Sequence, residues 1–118
     1  MLKVIIAGGR NFADYQLLCI KCNNILKNKN PNEIEIVSGN AKGADMFGEK
    51  YAKEKGLSQK IFKADWDKNG KSAGFRRNEQ MAEYADALIA FWDGSSKGTA
   101  HMIKLAKEKG LLVRVIKY

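Results

Sequence analysis

Short apolar runs alternate with helix-like segments along the whole chain of 118 residues, and this alternation constrains the fold more than any other feature. A run of about four to eight β-branched and aliphatic residues between turn residues is typical of a buried strand. Five runs fit this description: Leu2–Ala7, Glu33–Val37, Gln59–Lys63, Ala87–Trp92 and Leu111–Ile116. Because enough residues for a helix lie between most of them, we expect parallel strands joined by helical crossovers.

The segments between these runs carry apolar residues at helical spacing. They predict helices at Tyr15–Leu26, Gly43–Lys55 and Phe75–Tyr84, and from Gly98 or Thr99 to Gly110. Such an alternation favours a parallel sheet with helices on both faces, and right-handed crossovers then give three layers. The sequence therefore predicts an α/β fold, a Rossmann-like three-layer sandwich of about five parallel strands, with residues 1–118 as a single domain.

Composition narrows the class of protein and its partners. The chain is 45% hydrophobic and 29% charged, which is typical of a globular domain. No apolar run approaches the roughly 20 residues of a membrane span, and Leu2–Ala7 is too short for a signal peptide, so we expect a cytoplasmic protein with no membrane partner. The formal net charge of +8 favours an anionic partner, either a nucleotide or nucleic acid, or serves solubility alone.

The two cysteines, Cys19 and Cys22, have C-x-x-C spacing but lie inside a helical pattern. A zinc site needs two further ligands, and the single histidine, His101, is far away in sequence. Free thiols packed as small hydrophobic groups are the simpler interpretation. We therefore expect no metal and no cofactor.

The stretch from Ile34 to Asp45 combines a strand, a loop of small residues and a helix start. Glycines let backbone N–H groups approach an anion closely, and the unpaired N–H groups of a helix N-terminus carry partial positive charge. Ser38, Gly39, Lys42 and Gly43 would then hold a phosphate. The alternative is a tight strand-to-helix turn whose glycines serve geometry only.

Loops that follow the predicted strands differ in composition from those that precede them. Gly, Ser, Asn, Arg, Lys and Asp are frequent in the loops after strands, which are Gly8–Asn11, Ser38–Gly43, Ala64–Gly74 and Asp93–Gly98. The loops before strands, such as Gly56–Ser58, are simple connectors. Because ligands of open α/β sheets bind outside the carboxyl ends of the strands, this asymmetry predicts an anion held by several loops.

Three familiar catalytic or cofactor motifs are absent. Gly70-Lys71-Ser72 resembles the end of a Walker A motif, but Asp65 stands where the first glycine is required. The first turn, Gly8–Ala13, does not match the G-x-G-x-x-G dinucleotide fingerprint. His101 falls at a helix start, and no Ser-His-Asp arrangement is suggested.

Arginines and aromatic residues supply further candidates. Arg76-Arg77-Asn78 follows the long polar loop, and an arginine there can bind a phosphate through two N–H groups. Adjacent residues point to different faces of a helix, so only one of the arginines is expected to reach the site. Trp66 or Phe12 would stack on a base, although Trp66 could equally cap the sheet as part of the core.

Taken together, these residues resemble the YspA-like, cpYpsA-related branch of the SLOG superfamily. The segments that carry the resemblance are Gly8-Gly9-Arg10, Val37–Asp45, Ala64–Trp66, Gly70-Lys71, Ala73-Gly74, Arg77–Met81 and Gly98-Thr99. The superfamily includes the LOG-type nucleoside-monophosphate phosphoribohydrolases and the DNA-processing protein DprA, and the YspA-like branch occurs in bacteria and phages. The resemblance implies a Rossmann-like fold whose strand-end loops bind a nucleotide or nucleotide derivative.

One position departs from the LOG-type pattern. Gly98 and Thr99 match the residues that hold phosphate in those enzymes, but Met102 stands where their glutamate acts at the ribose. A methionine cannot stabilise the positive charge that develops on the ribose during N-glycosidic cleavage. If the chain is an enzyme, the catalytic carboxylate must come from another loop. Asp45, Asp65 and Asp93 are the candidates, and Asp45 and Asp93 are preferred.

The sequence leaves four functions open. The first is a nucleotide-binding sensor or processing protein, the second a phosphoribohydrolase-like hydrolase, and the third a DprA-like nucleic-acid binder. The fourth is a small Rossmann-like domain that acts as a scaffold. A homo-oligomer is a further possibility that the superfamily suggests. The candidate phosphate ligands are Gly8, Gly9, Arg10, Ser38, Gly39, Lys42, Gly43, Arg77, Asn78, Gly98 and Thr99.

Overall fold

The computed structural model describes residues 1–118 and contains one five-stranded sheet. The strands are β1 (Leu2–Gly8), β2 (Ile34–Ser38), β3 (Ser58–Ile61), β4 (Ala87–Trp92) and β5 (Leu112–Lys117). All neighbouring pairs are parallel, in the order β3-β2-β1-β4-β5. The prediction of a Rossmann-like α/β fold is confirmed.

Five α-helices connect or follow these strands. They are α1 (Tyr15–Leu26), α2 (Ala44–Lys55), α3 (Trp66–Asn69), α4 (Ala73–Tyr84) and α5 (Lys97–Glu108), with short 3₁₀ turns at Pro31–Glu33 and Gly70–Ser72. Asp14 begins α1 because its carboxylate accepts the N–H of Leu17 at 2.9 Å. Gly56 ends α2 with a φ of 69°, a left-handed conformation that suits glycine.

Alternate residues of the central strand β1 face opposite sides of the sheet, which gives the fold two apolar cores. Val4 and Ile6 pack with α1 and α2, whereas Ile5 and Ala7 pack with α4 and α5. All four side chains are buried. A strand buried on both faces needs a continuous apolar run, which is the pattern that made β1 predictable.

The prediction was wrong for part of the segment Ala64–Gly74, which was expected to be entirely loop. Helix α3 forms there because Asp65 accepts the N–H of Lys68 at 3.0 Å, and α4 begins at Ala73. A single helical turn has too few residues to show an apolar stripe, so periodicity cannot reveal it. The other helix and strand boundaries differ from the predicted ones by only a few residues.

None of the helices is long and apolar enough to span a bilayer.

The chain order changes direction at the centre of the sheet. From β1 the chain proceeds outward through β2 to β3, and it then returns to the other side of β1 to form β4 and β5. The loops after β1 and β4 therefore diverge, and a crevice opens between them at the carboxyl ends of the strands. This position is where the candidate site lies.

Candidate functional site

A cavity of about 430 Å³ occupies the crevice between β1 and β4, and we call it the central cavity. Its lining comes from the segments that follow β1, β2, β3 and β4, and from α2, α4 and α5. The residues are Ala7, Gly8, Gly9, Arg10, Asn11, Ala41, Asp45, Trp66, Lys71, Gly74, Phe75, Arg77, Asn78, Met81, Ser96, Gly98, Thr99 and Met102. A mixed lining of this size suits a small organic ligand with a charged group.

Close packing explains the glycines of the first loop. A Cβ at Gly8 would lie 2.4 Å from the carbonyl oxygen of Phe91, so no larger residue fits. Gly43, with a φ of 81°, approaches the same loop, since its Cβ would lie 2.2 Å from the carbonyl oxygen of Gly9. Glycine is therefore required at both positions whether or not a ligand binds. Arg10, beside Gly9, is exposed and reaches the cavity lining.

Ser38 organises the loop between β2 and α2. Its hydroxyl donates to the Glu49 carboxylate at 2.7 Å and accepts the backbone N–H of Asn40 at 3.0 Å. The side-chain amide of Asn40 also donates to Glu49, at 2.9 Å, and this residue holds a positive φ of 61°. Ser38 is fully buried and does not line the central cavity, so it shapes the loop instead of contacting a ligand there.

Asp45 is the one acidic residue in the central cavity, and it is only 5% exposed. Its carboxylate accepts the N–H of Ala41 at 3.3 Å. Burial raises the pKa of Asp45 to about 6, although the N–H of Ala41 and the positive charge of Arg77 act in the opposite direction. A carboxyl group with this pKa gains and loses its proton close to neutral pH.

Arg77 connects α4 to the loop after β2. Its guanidinium donates to the carbonyl oxygen of Gly39 and, through Nε, to the Asn78 side chain at 3.1 Å. Burial lowers the pKa of Arg77, and the nearby Arg10 lowers it further while Asp45 opposes this change. A Cβ at Gly39 would lie 2.8 Å from the Arg77 guanidinium and from the Asp45 carboxylate, so a larger residue there would displace these two side chains.

Asn78 continues the connection toward α5. Its amide nitrogen lies 3.4 Å from the carbonyl oxygen of Gly98 and 3.2 Å from Nδ1 of His101. Since the amide is the donor, His101 accepts through Nδ1, and burial lowers the pKa of this histidine. Arg77 and Asn78 together fix α4 against the loops after β2 and β4.

The N-terminus of α5 is open toward the central cavity. Ser96 occupies the N-cap position, but no side chain caps the helix, because the Ser96 hydroxyl pairs instead with that of Thr99 at 3.2 Å. The first helical hydrogen bond is donated by Ala100 to the Ser96 carbonyl. At Gly98, an added Cβ would meet no protein atom within 4 Å. Packing within the protein therefore does not explain this glycine.

A second cavity of about 420 Å³ adjoins the first, and we call it the lateral cavity. It is lined by Arg10, Gly39, Asn40, Ala41, Lys42, Lys63, Ala64, Trp66 and Arg77. Lys42, expected to contact phosphate, lies here and not in the central cavity. Trp66 is 52% exposed and borders both cavities, which leaves a face of the indole ring free for contact with a ligand.

Four of the candidate residues line neither cavity: Phe12, Ser38, Gly43 and Asp93. Phe12 is only 2% exposed and packs against Phe47, Phe91 and Tyr118, so it is a core residue and not a platform for a base. Asp93 is exposed, lines neither cavity, and accepts the N–H groups of Ser95 and Ser96 at 2.9 and 2.8 Å. These hydrogen bonds lower the pKa of Asp93, which fits a role in shaping the loop.

Sequence reasoning missed several residues of the lining. Lys71, Phe75 and Asn11 contribute side chains that no motif marked as ligand-binding, and Phe75 is exposed beside His101 with a ring-centroid distance of 4.5 Å. Their positions in or beside the loops after predicted strands could have indicated them, and Lys71 also lies in one of the segments that carry the family resemblance. Met102, marked as a departure from the LOG-type pattern, is 1% exposed and forms part of the cavity wall.

The fold and this site define a Rossmann-like α/β protein with a ligand cavity at the point where the strand order reverses. A family model described as the YspA, cpYpsA-related SLOG family matches residues 2–69. The Gene 61 protein of Mycobacterium phage D29 is 32% identical over 119 residues, covering 96% of this chain and 94% of that protein. The chain belongs to the YspA, cpYpsA-related SLOG family.

A solved structure supports the same fold. DNA processing protein A (DprA) from Streptococcus pneumoniae matches with a TM-score of 0.75 and 21% sequence identity. The match covers 98% of this chain and 50% of the DprA chain, so the present chain spans half of that protein's length. This likeness establishes the shared fold, and family membership supports an interaction with nucleotides or nucleic acids in general.

Proposed function

We propose that this protein binds a nucleotide or nucleotide derivative in the central cavity, with a phosphate at the N-terminus of α5. The observation that carries this proposal is the open start of α5, where no side chain caps the helix and Gly98 leaves free space. Unpaired N–H groups and the helix dipole favour an anion at such a position. Lys71 and Arg77 add positive charge to the lining of the same cavity.

Two exposed aromatic rings beside these cations provide a place for the base. Trp66 and Phe75 both line the central cavity and are 52% and 47% exposed, so both rings are accessible to a ligand. Stacking of a base on an aromatic ring stabilises binding by about 1–3 kcal/mol. The nucleotide would therefore lie with its phosphate toward Gly98 and its base toward Trp66 or Phe75.

Thermal unfolding in the presence of nucleotides tests this proposal directly. The panel contains nucleoside mono-, di- and triphosphates, ADP-ribose, NAD, cyclic nucleotides and a single-stranded oligonucleotide, each at low and high salt. A ligand at 100 times its Kd stabilises the native state by roughly 2.7 kcal/mol, which is several degrees in Tm for a domain of this size.

A selective shift that persists at high salt is the expected result. No shift with any nucleotide would overturn the proposal. A shift with the oligonucleotide alone that disappears at high salt would instead favour a nucleic-acid binder, because phosphate-backbone contacts weaken steeply with salt.

Asp45 favours hydrolysis of an N-glycosidic bond as a second candidate function. It is the acid of the central cavity, and with a pKa of about 6 it is mostly ionised at pH 7. An ionised carboxylate beside the ribose would stabilise the positive charge that develops as the bond to the base breaks. Asp45 would thus replace the glutamate whose position Met102 occupies.

Release of free base from nucleoside monophosphates, followed by chromatography, tests this activity. Wild-type protein should release base, and Asp45→Asn should release at least about 100-fold less, by analogy with the loss of other groups that stabilise transition-state charge. Asp93→Asn serves as the control, because Asp93 lines neither cavity. If no base is released from any nucleotide in the panel, the protein is a binding protein and not this hydrolase.

A further inference from the structure

The central and lateral cavities are two parts of one cleft. Four residues, Arg10, Ala41, Trp66 and Arg77, contribute to the lining of both. The Trp66 ring and the Arg77 guanidinium therefore stand where the two volumes meet. A ligand seated in the central cavity can extend past these side chains without crossing the core of the protein.

The lateral cavity differs from the central cavity in charge. Its lining includes four cationic side chains, which are Arg10, Lys42, Lys63 and Arg77. No acidic residue lines it. The two ion pairs of the protein, Lys104–Glu108 and Lys109–Glu83, involve none of them. Four positive charges around one concave space create a potential that attracts an anion.

Mutual repulsion between two of these cations supports the same conclusion. Burial lowers the pKa of Arg77 and the positive charge of Arg10 lowers it further, so the Arg10 guanidinium is close to that of Arg77. Arg77 is partly held by Gly39 and Asn78, whereas Arg10 has no hydrogen-bond partner from its side chain in the structure. An anion between them would neutralise this repulsion and use the free N–H groups of Arg10.

Other polar groups of the lateral cavity are already engaged. The Asn40 amide donates to Glu49, and the Ala41 N–H donates to Asp45. Lys42 and Lys63 have no carboxylate within ion-pair distance and are exposed. The groups of this cavity that remain free to contact a ligand are therefore mainly cationic side chains. Such groups bind a phosphate better than an uncharged sugar or base.

We propose that the lateral cavity binds a second phosphate-bearing group of the same ligand. The ligand class is then a nucleotide carrying a further phosphate-linked unit, through either a pyrophosphate or a phosphodiester, and not a simple nucleoside monophosphate. This inference rests on the proposed nucleotide site in the central cavity. Lys42 and Lys63 are the residues that distinguish the two kinds of ligand, because they line the lateral cavity alone.

Calorimetric titration at a fixed physiological ionic strength tests the inference. The probes are AMP, ADP-ribose with its pyrophosphate, and a 5′-phosphorylated dinucleotide with its phosphodiester. Wild-type protein should bind at least one of the two extended probes roughly tenfold or more tightly than AMP, since one additional charge-assisted contact is worth that much. The preferred extended probe identifies the linkage.

Three variants locate the extra affinity. Lys42→Ala and Lys63→Ala should each weaken the preferred extended probe by roughly fivefold and leave AMP unchanged, as expected for one solvated charge pair with phosphate. Lys68→Ala is the matched control, because Lys68 is an exposed lysine nearby that lines neither cavity. All three lysines are on the surface, and unchanged Tm values would show that the variants fold.

The results separate this inference from the proposed function. If AMP and the extended probes bind equally tightly, or if Lys42→Ala and Lys63→Ala weaken AMP as much as the extended probes, the lateral cavity takes no second phosphate while the central nucleotide site stands. If no probe binds at all, both proposals are overturned. Equal weakening by Lys68→Ala would assign the effect to overall charge and also overturn the inference.

Discussion

Arg77 on α4 donates a hydrogen bond to the backbone carbonyl of Gly39, a residue 38 positions earlier in the chain. This contact turns the guanidinium toward the crevice and holds it near Asp45, without a direct ion pair between the two. Arg76, the neighbouring residue, is exposed and contacts only Ser72, at 3.2 Å. Of the two arginines, Arg77 is the one that lines the central cavity.

Replacing Arg77 with alanine should weaken nucleotide binding strongly with little effect on folding. Charge-assisted hydrogen bonds contribute about 1.5–3 kcal/mol each, so the Kd should rise roughly 10- to 150-fold, while the free energy of unfolding changes by no more than about 1–2 kcal/mol. Titration with the nucleotide found in the thermal screen measures the first effect and urea unfolding the second. Arg76→Ala is the control, and equal affinities for the two variants would contradict the assignment of Arg77.

Stability should depend on pH through Asp45. Its pKa in the native state, about 6, lies above the ordinary value of 3.8, so the folded protein holds this proton more tightly than the unfolded chain. The contribution of Asp45 to the free energy of unfolding is therefore fully present below pH 4 and is lost as the pH rises through 6. The loss amounts to about 3 kcal/mol.

Urea unfolding of wild-type protein and Asp45→Asn between pH 4 and pH 7 measures this contribution. The asparagine retains an oxygen for the Ala41 N–H but does not ionise, so its stability should fall less over that range and should exceed that of wild type at pH 7. Parallel pH profiles for the two proteins would show that Asp45 has an ordinary pKa.

Gly98 and Gly43 should respond in opposite ways to replacement by alanine. A Cβ at Gly98 meets no protein atom within 4 Å, so Gly98→Ala should stabilise the fold by about 0.5 kcal/mol and yet weaken nucleotide binding. Gly43→Ala should destabilise the fold by more than about 2 kcal/mol, because the backbone has a φ of 81° and the Cβ would collide with the Gly9 carbonyl. Thermal unfolding with and without ligand separates the two effects. Unchanged affinity in Gly98→Ala would place the phosphate elsewhere.

Trp66 should report nucleotide binding through its fluorescence. The chain has two tryptophans, and only Trp66 lines the cavities, whereas Trp92 donates its indole N–H to the Ser96 carbonyl at 3.1 Å. Stacking on the indole ring should quench emission in wild type and in Trp92→Phe, but not in Trp66→Phe. Trp66→Ala should weaken binding by about 1–3 kcal/mol. Quenching that survives in Trp66→Phe would assign the signal to Trp92.

Phe12 provides the contrasting case of an aromatic residue near the site with a purely structural role. Phe12→Ala should reduce the free energy of unfolding by about 3–5 kcal/mol, because the ring is buried among Phe47, Phe91 and Tyr118. Trp66→Ala, at a half-exposed position, should reduce the free energy of unfolding far less than Phe12→Ala. Chemical denaturation of both variants checks the comparison, and similar losses would mean that Trp66 belongs to the core.

The fold was predictable because most strands and the long helices carry their own local patterns, although β3 (Ser58–Ile61) is short, polar and mostly exposed. Leu2–Gly8 is apolar on both faces, and the helix Tyr15–Leu26 has Asp14 as an N-cap that its sequence reveals. Helix α3 was missed because one turn is stabilised by a single cap at Asp65, which no periodicity accompanies. A longer helix or strand is therefore easier to predict from its sequence, because it shows more of the pattern.

The site was predictable only as a location. The carboxyl ends of the strands follow from the topology, but the contacts that sort residues there are long-range. Phe12 and Trp66 are both aromatic residues in loops, and only tertiary packing places one in the core and the other at the cavity. Likewise, Ser38 lies in a segment that resembles a phosphate-binding loop. Its hydroxyl, however, donates a hydrogen bond to the carboxylate of Glu49 in α2.

The central cavity draws on positions spread across almost the entire chain, from Arg10 through Asp45 and Arg77 to Gly98. No contiguous fragment contains it, and it exists only when β1, β2 and β4 are paired. A bound nucleotide would consequently slow amide hydrogen exchange throughout the sheet and not only near the loops, since exchange of the core would require release of the ligand. Only the fully folded protein would therefore bind the nucleotide in this cavity.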